Sequence, residues 1–208
     1  MLLVPALNAG TIETMHIPPI FAYPETIVFW IVYIWTFSLE IAHSGIMRGA
    51  PSNAQDAGTL RLINLGTNLA LILAFAAAFL PWLTIPYSRL ALYLGTGLLI
   101  AGSVLRRYCF RILGKYFTAA VTVAANQPVI EQGPYRWIRH PGYTAGFIMF
   151  LGIGVALGSW LSVAIFFVEM VLVYSRRVKA EEAALLSTLG EPYRAYMART
   201  KRFIPFVL

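Results

Sequence analysis

Long uncharged runs constrain the fold of this chain more than any other feature of its sequence. Residues 26–39, 62–88, 90–105 and 141–168 carry no charged side chain. An apolar helix of about 20 residues spans the hydrocarbon core of a bilayer. The chain is also 59% hydrophobic and only 12% charged, whereas a typical soluble protein is about 25% charged. We therefore predict an all-α integral membrane protein.

The last apolar stretch, residues 143–175, is too long to cross a membrane once. As a single helix it would extend ~50 Å, whereas the hydrocarbon core is ~30 Å thick. Gly158 and Ser159 offer a break within it. We predict two short helices here, at about 142–157 and 160–177, that form a C-terminal hairpin. The chain then has about five transmembrane helices.

The distribution of basic residues supports this topology. With the N-terminus outside and five crossings, 15 of the 16 Lys and Arg residues lie on the inner side, and only Arg89 lies outside. Cytoplasmic loops of membrane proteins carry such an excess of basic residues. Topology and anionic lipid headgroups therefore explain the net charge of +7, and we expect no nucleic-acid partner. The polar part of the chain consists of two cytoplasmic segments, 106–141 and 176–208.

Several classes of site are disfavoured by the sequence. The single cysteine, Cys109, rules out an internal disulfide and a cysteine-rich metal site. The three histidines lack the spacing of metal ligands, so we expect no metal. The chain contains no G-x-G-x-x-G motif and has no room for a βαβ unit, which disfavours a Rossmann cofactor domain.

The first polar cluster surrounds the predicted start of a helix. A residue that precedes proline avoids the helical region, so His140 ends the loop and Pro141 begins the helix. Arg139, His140 and Tyr143 then lie near free backbone N–H groups, which suit an anionic ligand. The alternative is that these residues form an interfacial anchor of the kind common at membrane boundaries.

The second polar cluster contains Arg177 and Glu181. These residues are four apart, so they share one face of a helix. They form either an exposed salt bridge or a binding site in which Glu181 holds a ligand ammonium and Arg177 faces a ligand anion. The acidic residues Glu40 and Glu169 lie within apolar runs, where a carboxylate is costly. We interpret both as close enough to the inner interface to reach it.

The order of the polar motifs resembles that of a known family. The resemblance covers residues 106–206 and is strongest for the isoprenylcysteine carboxyl methyltransferase family and its phospholipid methyltransferase relatives. The matching residues are Gly114-Lys115-Tyr116-Phe117, Gly133-Pro134-Tyr135, Arg139-His140-Pro141-Gly142-Tyr143, Glu181-Glu182, Gly190-Glu191-Pro192-Tyr193-Arg194-Ala195-Tyr196 and Arg202-Phe203-Ile204-Pro205.

The resemblance implies a membrane enzyme that uses S-adenosylmethionine as its cofactor. It implies a single domain over 1–208, with membrane spans in 1–105 and a cofactor-binding and catalytic region in 106–208 on the cytoplasmic face. Arg177 matches the substrate-contacting arginine of the family, and we take Arg139 with it as a candidate catalytic residue. The implied cofactor-pocket residues are Thr122, Gln127, Pro128, Val129, Ile130, Tyr135, His140, Pro141, Gly142, Tyr143, Glu181 and Glu182.

The expected reaction is methyl transfer to a lipophilic acceptor. A carboxylate or a thiolate is already nucleophilic, so the protein has chiefly to align the two reactants. We therefore expect a lipidated or lipophilic small-molecule substrate, with membrane lipids as the other partners; the sequence indicates no oligomeric state. One alternative is an NADPH-dependent sterol-type reductase, although Glu181 and Glu182 are poorly suited to NADPH phosphates. The other is a non-enzymatic membrane scaffold.

Overall fold

A computed structural model describes residues 16–46, 58–119, 121–124 and 126–204 of the chain. This part is helical, and its only β-pairing consists of two isolated bridges. Single 3-10 turns lie at Pro81–Leu83, Gly114–Tyr116 and Gly133–Arg136. The helices are α1 (Pro19–Ala22), α2 (Thr26–Ile46), α3 (Thr59–Ala77), α4 (Ser88–Leu113), α5 (Pro141–Ala156), α6 (Trp160–Leu189) and α7 (Glu191–Arg199).

Two segments of the described part are long and apolar enough to cross a membrane by length and composition: Thr59–Ala77 and Ser88–Tyr116. Thr26–Ser38 and Pro141–Ala156 are shorter apolar helices. The described part is thus helical, and two of its helices have the length and composition of membrane spans. Five complete crossings remain a prediction.

The predicted C-terminal hairpin is present, but its second helix continues to Leu189, beyond the predicted end at about 177. α5 ends at Ala156 and α6 begins at Trp160. Gly158 between them has φ +71°, a left-handed conformation that favours glycine, and a Cβ there would lie 2.5 Å from Pro19. Ser159 caps α6, because its hydroxyl accepts a hydrogen bond from the backbone N–H of Ser162. A glycine turn followed by a serine cap therefore makes the break.

Two helix boundaries differ from the uncharged runs. The run 62–88 contains both α3 and the connection to α4, because Pro81 and Pro86 interrupt helical hydrogen bonding. The run 90–105 is only part of α4, which continues to Leu113. Charged residues indicate where a helix can leave the bilayer, not where the helix ends, so the uncharged runs do not give the ends of these helices.

α4 and α5 form the most extensive helix contact of the described part. Their backbones touch at glycines: a Cβ at Gly95 would lie 2.3 Å from the backbone nitrogen of Ala156 and 2.5 Å from the carbonyl oxygen of Gly152. Small residues allow this close approach between membrane helices. The contact fixes where α5, and therefore the loop that precedes it, lies along α4.

The two acidic residues in apolar runs connect helices. Glu40 of α2 pairs with Arg106 of α4 at 2.7 Å, and Arg106 also donates to the carbonyl oxygen of Gly142 at the start of α5. Glu169 of α6 accepts a hydrogen bond from Thr67 of α3 at 3.1 Å. Each carboxylate is therefore held between helices, and our interpretation that both reach the inner interface stays a prediction.

The glycine contact gives a prediction about stability. Gly95→Ala places a methyl group against backbone atoms that cannot move aside, and overpacking of this kind costs ~1–3 kcal/mol. We expect a clear drop in the thermal unfolding midpoint of the purified protein in detergent. Gly97→Ala is the matched control, because a Cβ there meets nothing within 4 Å. Equal effects of the two substitutions would contradict the proposed importance of this contact.

Candidate active site

A cavity of about 280 Å³ lies where α2–α6 meet the loop that joins α4 to α5. This volume is close to the lower end of the ~300–1,000 Å³ typical of small-molecule sites. Both predicted catalytic arginines, Arg177 and Arg139, line it. So do most of the predicted cofactor residues, namely Thr122, Gln127, Pro128, Val129, Ile130, Tyr135, His140, Gly142, Tyr143 and Glu181.

The loop before α5 is shaped by a tight turn at Gly133–Arg136. Gly133 has φ +56°, and a Cβ there would lie 2.5 Å from the side chain of Ile112 on α4. The turn directs Tyr135 inward, where it is buried. The hydroxyl of Tyr196 on α7 donates to the Tyr135 carbonyl oxygen at 2.6 Å. Burial raises the pKa of Tyr135 well above its usual value, so its hydroxyl stays protonated.

Tyr143 links the two predicted charged residues of α6. Its hydroxyl donates to Glu181 Oε2 at 2.7 Å and accepts from Arg177 Nε at 3.1 Å. All three side chains line the cavity. A tyrosine hydroxyl can do both at once because it is a donor and an acceptor. The cavity therefore has an anionic and a cationic group on either side of one phenol.

Arg177 is almost fully buried, at 3% exposure. Besides Tyr143, it donates from Nη1 to Thr59 Oγ1 at 2.9 Å and from Nη2 to the carbonyl oxygen of Ala119 at 2.6 Å. These contacts tie α6 to the start of α3 and to the loop after α4. The alternative in which Arg177 and Glu181 form an exposed salt bridge does not fit, because Arg177 is buried.

Glu182 lies beside the cavity but does not line it. Its carboxylate is 6% exposed and contacts Arg139 Nε at 2.9 Å, His140 Nε2 at 3.3 Å and Arg202 Nη2 at 2.8 Å. Burial raises the pKa of this carboxyl, but the hydrogen bonds from His140, Arg202 and Arg139 outweigh burial and lower the pKa to about 2. We call Glu182 and these three partners the carboxylate clasp.

Residues 200–203, which we call the C-terminal strap, pair with the end of the loop before α5. The Arg139 N–H donates to the Lys201 carbonyl oxygen at 2.7 Å, and the His140 N–H donates to that of Arg202 at 3.0 Å. The Lys201 N–H donates back to the Trp137 carbonyl oxygen at 3.2 Å. The basic and aromatic tail is therefore packed against the wall of the cavity, in addition to any contact with the membrane surface.

Arg139 is engaged mainly by the clasp and the strap. Its guanidinium donates to Glu182 and to the backbone carbonyl oxygens of Met197 and Thr200. These contacts favour a role in shaping the cavity wall over contact with a reactant. Pro141 begins α5 as predicted, but it does not line the cavity.

Several lining residues were missed by the sequence analysis. Glu40 and Arg106 form an ion pair in the lining, and Asn64 of α3 lines the cavity as well. Tyr193 of α7 also lines the cavity, and its buried hydroxyl has no hydrogen-bond partner among the described residues. Their helices are distant in sequence, so no local pattern groups these residues. The one sequence signal for any of them was Glu40, because a carboxylate within an apolar run is unusual.

The carboxylate clasp predicts a dependence of stability on acid. A carboxyl with a lowered pKa stabilises the fold above its usual pKa of 4.5, and this contribution is lost as the pH falls towards 2. Glu182→Gln should lower the free energy of unfolding by about 3 kcal/mol at pH 7. This is the lower end of the cost of breaking a buried ion pair, and we choose it because the Arg202 side chain is half-exposed. Between pH 4.5 and 3, the variant should also lose less stability than the wild-type protein.

Thermal unfolding in detergent as a function of pH measures both effects. Glu191→Gln is the control, because the Glu191 carboxylate is exposed and lies 3.8 Å from an exposed Arg194. It should lower stability by no more than ~0.5 kcal/mol. An unchanged acid profile in Glu182→Gln would show that the clasp does not stabilise the fold.

Comparison with known proteins gives independent information on this arrangement. The model of the isoprenylcysteine carboxyl methyltransferase (ICMT) family matches residues 94–187. A protein-S-isoprenylcysteine O-methyltransferase of Schizosaccharomyces pombe is 31% identical over 113 residues, which cover 53% of this chain and 48% of the relative. A probable enzyme of the same name from Oryza sativa subsp. indica is 30% identical over 117 residues, covering 55% of this chain and 61% of the relative.

The chain therefore matches about half to three-fifths of the length of these curated relatives. A solved structure of the eukaryotic intramembrane Ras methyltransferase ICMT superposes with a TM-score of 0.65 at 20% identity. That match covers 91% of this chain and 70% of the other, and it shows a common fold. The resemblance to the isoprenylcysteine carboxyl methyltransferase family is thus confirmed, in sequence over residues 94–187 and in fold over most of the chain.

Proposed function

We propose that this chain is an S-adenosylmethionine-dependent membrane methyltransferase that acts on the carboxylate of a lipid-linked, prenylcysteine-like acceptor. The observation that carries the proposal is the grouping of Glu181, Tyr143 and Arg177 in one cavity. The carboxylate suits the ammonium group of the cofactor, and the guanidinium suits an acceptor carboxylate. The names of the curated relatives support the same reaction class.

The residues of the cavity fit the cofactor chemically. The buried Tyr193 hydroxyl has no partner within the described part of the chain and lines the cavity, so it is available to a polar group of a ligand. Glu181 would hold the amino-acid end of the cofactor, and the apolar Val129 and Ile130 would contact its less polar part. When bound, S-adenosylmethionine supplies a methyl group on a positively charged sulfur.

The protein then has to position the acceptor and exclude water. Arg177 would bind the acceptor carboxylate, and orientation of this kind can supply ~7–11 kcal/mol of the barrier. A carboxylate needs no general base, which agrees with a site whose charged groups are already engaged with one another. Tyr135 lines the cavity, and the C-terminal strap holds the backbone of Arg139 and His140 in its wall.

We place the cavity on the cytoplasmic face of a multi-pass protein. The charge distribution supports this placement, since the loop before α5 and the segment after Arg176 carry most of the basic residues. The cavity is also lined by membrane-type helices: Leu60 and Ile63 of α3 and Phe110 of α4 contribute to it. A lipophilic acceptor could then reach the site from the bilayer without leaving it.

Glu181→Gln tests the cofactor assignment. Loss of a charge-assisted hydrogen bond, worth ~1.5–3 kcal/mol, should weaken binding of S-adenosylhomocysteine by about tenfold or more in calorimetry. Glu191→Gln, on the exposed surface of α7, should bind normally. Unchanged affinity in Glu181→Gln would refute the assignment.

Stabilisation of the wild-type protein by NADPH in place of S-adenosylhomocysteine would favour a reductase, and stabilisation by neither would favour a scaffold.

Arg177→Lys tests the acceptor assignment. Lysine keeps the positive charge but loses the planar fork that binds a carboxylate through two hydrogen bonds. We expect affinity for S-adenosylhomocysteine to stay within about threefold, while methyl transfer to N-acetyl-S-farnesylcysteine slows about tenfold or more, a loss of ~1.4 kcal/mol or more of transition-state binding. A parallel loss of cofactor affinity would instead assign Arg177 to holding Tyr143 and Glu181 in place.

A further inference from the structure

The hydroxyl of Thr59 contacts the arginine to which the acceptor carboxylate is assigned. Thr59 is the first residue of α3, and its Oγ1 accepts from Arg177 Nη1 at 2.9 Å. Both residues are buried. Thr59 lies outside the segment matched by the family model, residues 94–187, and it does not line the cavity. Its described side-chain contact with the site is the hydrogen bond from Arg177.

Among the residues that the structure describes, three acceptors orient the Arg177 guanidinium. They are the Tyr143 hydroxyl, the Ala119 carbonyl oxygen and the Thr59 hydroxyl, and each accepts from a different nitrogen. An arginine binds a carboxylate through two parallel hydrogen bonds only when its fork has the correct orientation. A functional side chain is held in such an orientation by the groups behind it. The acceptor geometry thus depends on all three.

Of these three contacts, only the one to Thr59 can be removed by itself. Ala119 contributes a backbone carbonyl, which substitution does not delete. Tyr143 also donates to Glu181, so removing its hydroxyl disturbs both ends of the site. We propose that Thr59 is a positioning residue for Arg177, and that the first turn of α3 is the part of the fold that sets recognition of a carboxylate at this site.

The inference rests on the proposed function and extends it to a helix outside the matched segment. It predicts discrimination between an acid and its ester. Wild-type protein should bind N-acetyl-S-farnesylcysteine more tightly than its methyl ester, because only the acid presents a carboxylate to Arg177. Thr59→Val keeps the shape of the side chain but deletes the hydroxyl, so it should reduce this preference about tenfold, or about 1.4 kcal/mol.

The experiment measures binding of the acid and of the ester to purified protein in detergent with S-adenosylhomocysteine present. Thr59→Ser retains a hydroxyl and should keep the preference within about threefold of wild type. Thr59→Ala also deletes the hydroxyl but adds no methyl group in its place. It is used if the Thr59→Val protein does not fold. Thr67→Val is the matched control, because Thr67 also bonds from α3 to α6, at Glu169, but away from the cavity.

The outcomes separate this inference from the proposed function. Support requires loss of the acid preference in Thr59→Val, its retention in Thr59→Ser and Thr67→Val, and affinity for S-adenosylhomocysteine within about threefold throughout. A retained preference in Thr59→Val and Thr59→Ala overturns the inference, as does a wild-type protein that binds acid and ester equally. An equal loss of S-adenosylhomocysteine binding in Thr59→Val also overturns it, since Thr59 would then support the whole pocket. A wild-type protein that does not bind S-adenosylhomocysteine refutes the proposed function itself.

Discussion

The buried carboxylate of Glu182 is the interaction on which the shape of the site depends. A charge in a buried position is tolerated only when other charges and hydrogen bonds replace water around it. Here the replacements come from two distant segments: Arg139 and His140 precede α5, and Arg202 belongs to the C-terminal strap. Because all of them must meet at one carboxylate, burial of Glu182 fixes α6, the loop and the strap relative to one another. The wall of the cavity follows from that constraint.

Two adjacent carboxylates have different environments because of helix geometry. Successive residues of an α-helix point about 100° apart, so Glu181 faces Tyr143 and the cavity while Glu182 faces the strap. Position along the chain therefore cannot tell a cavity-lining carboxylate from a structural one, and the sequence analysis assigned both to the cofactor. The lowered pKa of Glu182 belongs to the structural member of the pair. The perturbed pKa here accompanies an ion-pair network at a residue that does not line the cavity.

The sequence predicted features that depend on local rules. The hairpin was predictable because residues 143–175 are too long for one crossing of the bilayer and Gly158 offers a break. The start of α5 was predictable from Pro141. The motif order correctly grouped the loop before α5 with Arg177 and Glu181. Contacts set by tertiary packing were beyond it: nothing local connects Thr59 to Arg177, or Glu40 to Arg106, because each pair joins helices that meet only after folding. The ends of α3 and α4 could not be predicted either, because the length of an uncharged run reflects the thickness of the bilayer and not the length of the helix.

The position of Tyr143 explains how opposite charges can serve two ligands in one small cavity. A direct Arg177–Glu181 ion pair would satisfy each charge with the other and leave little attraction for an incoming ammonium or carboxylate. The phenol makes one hydrogen bond to each, so one hydroxyl orients both side chains. On the proposed function, an ammonium would bind at the Glu181 side and a carboxylate at the Arg177 side.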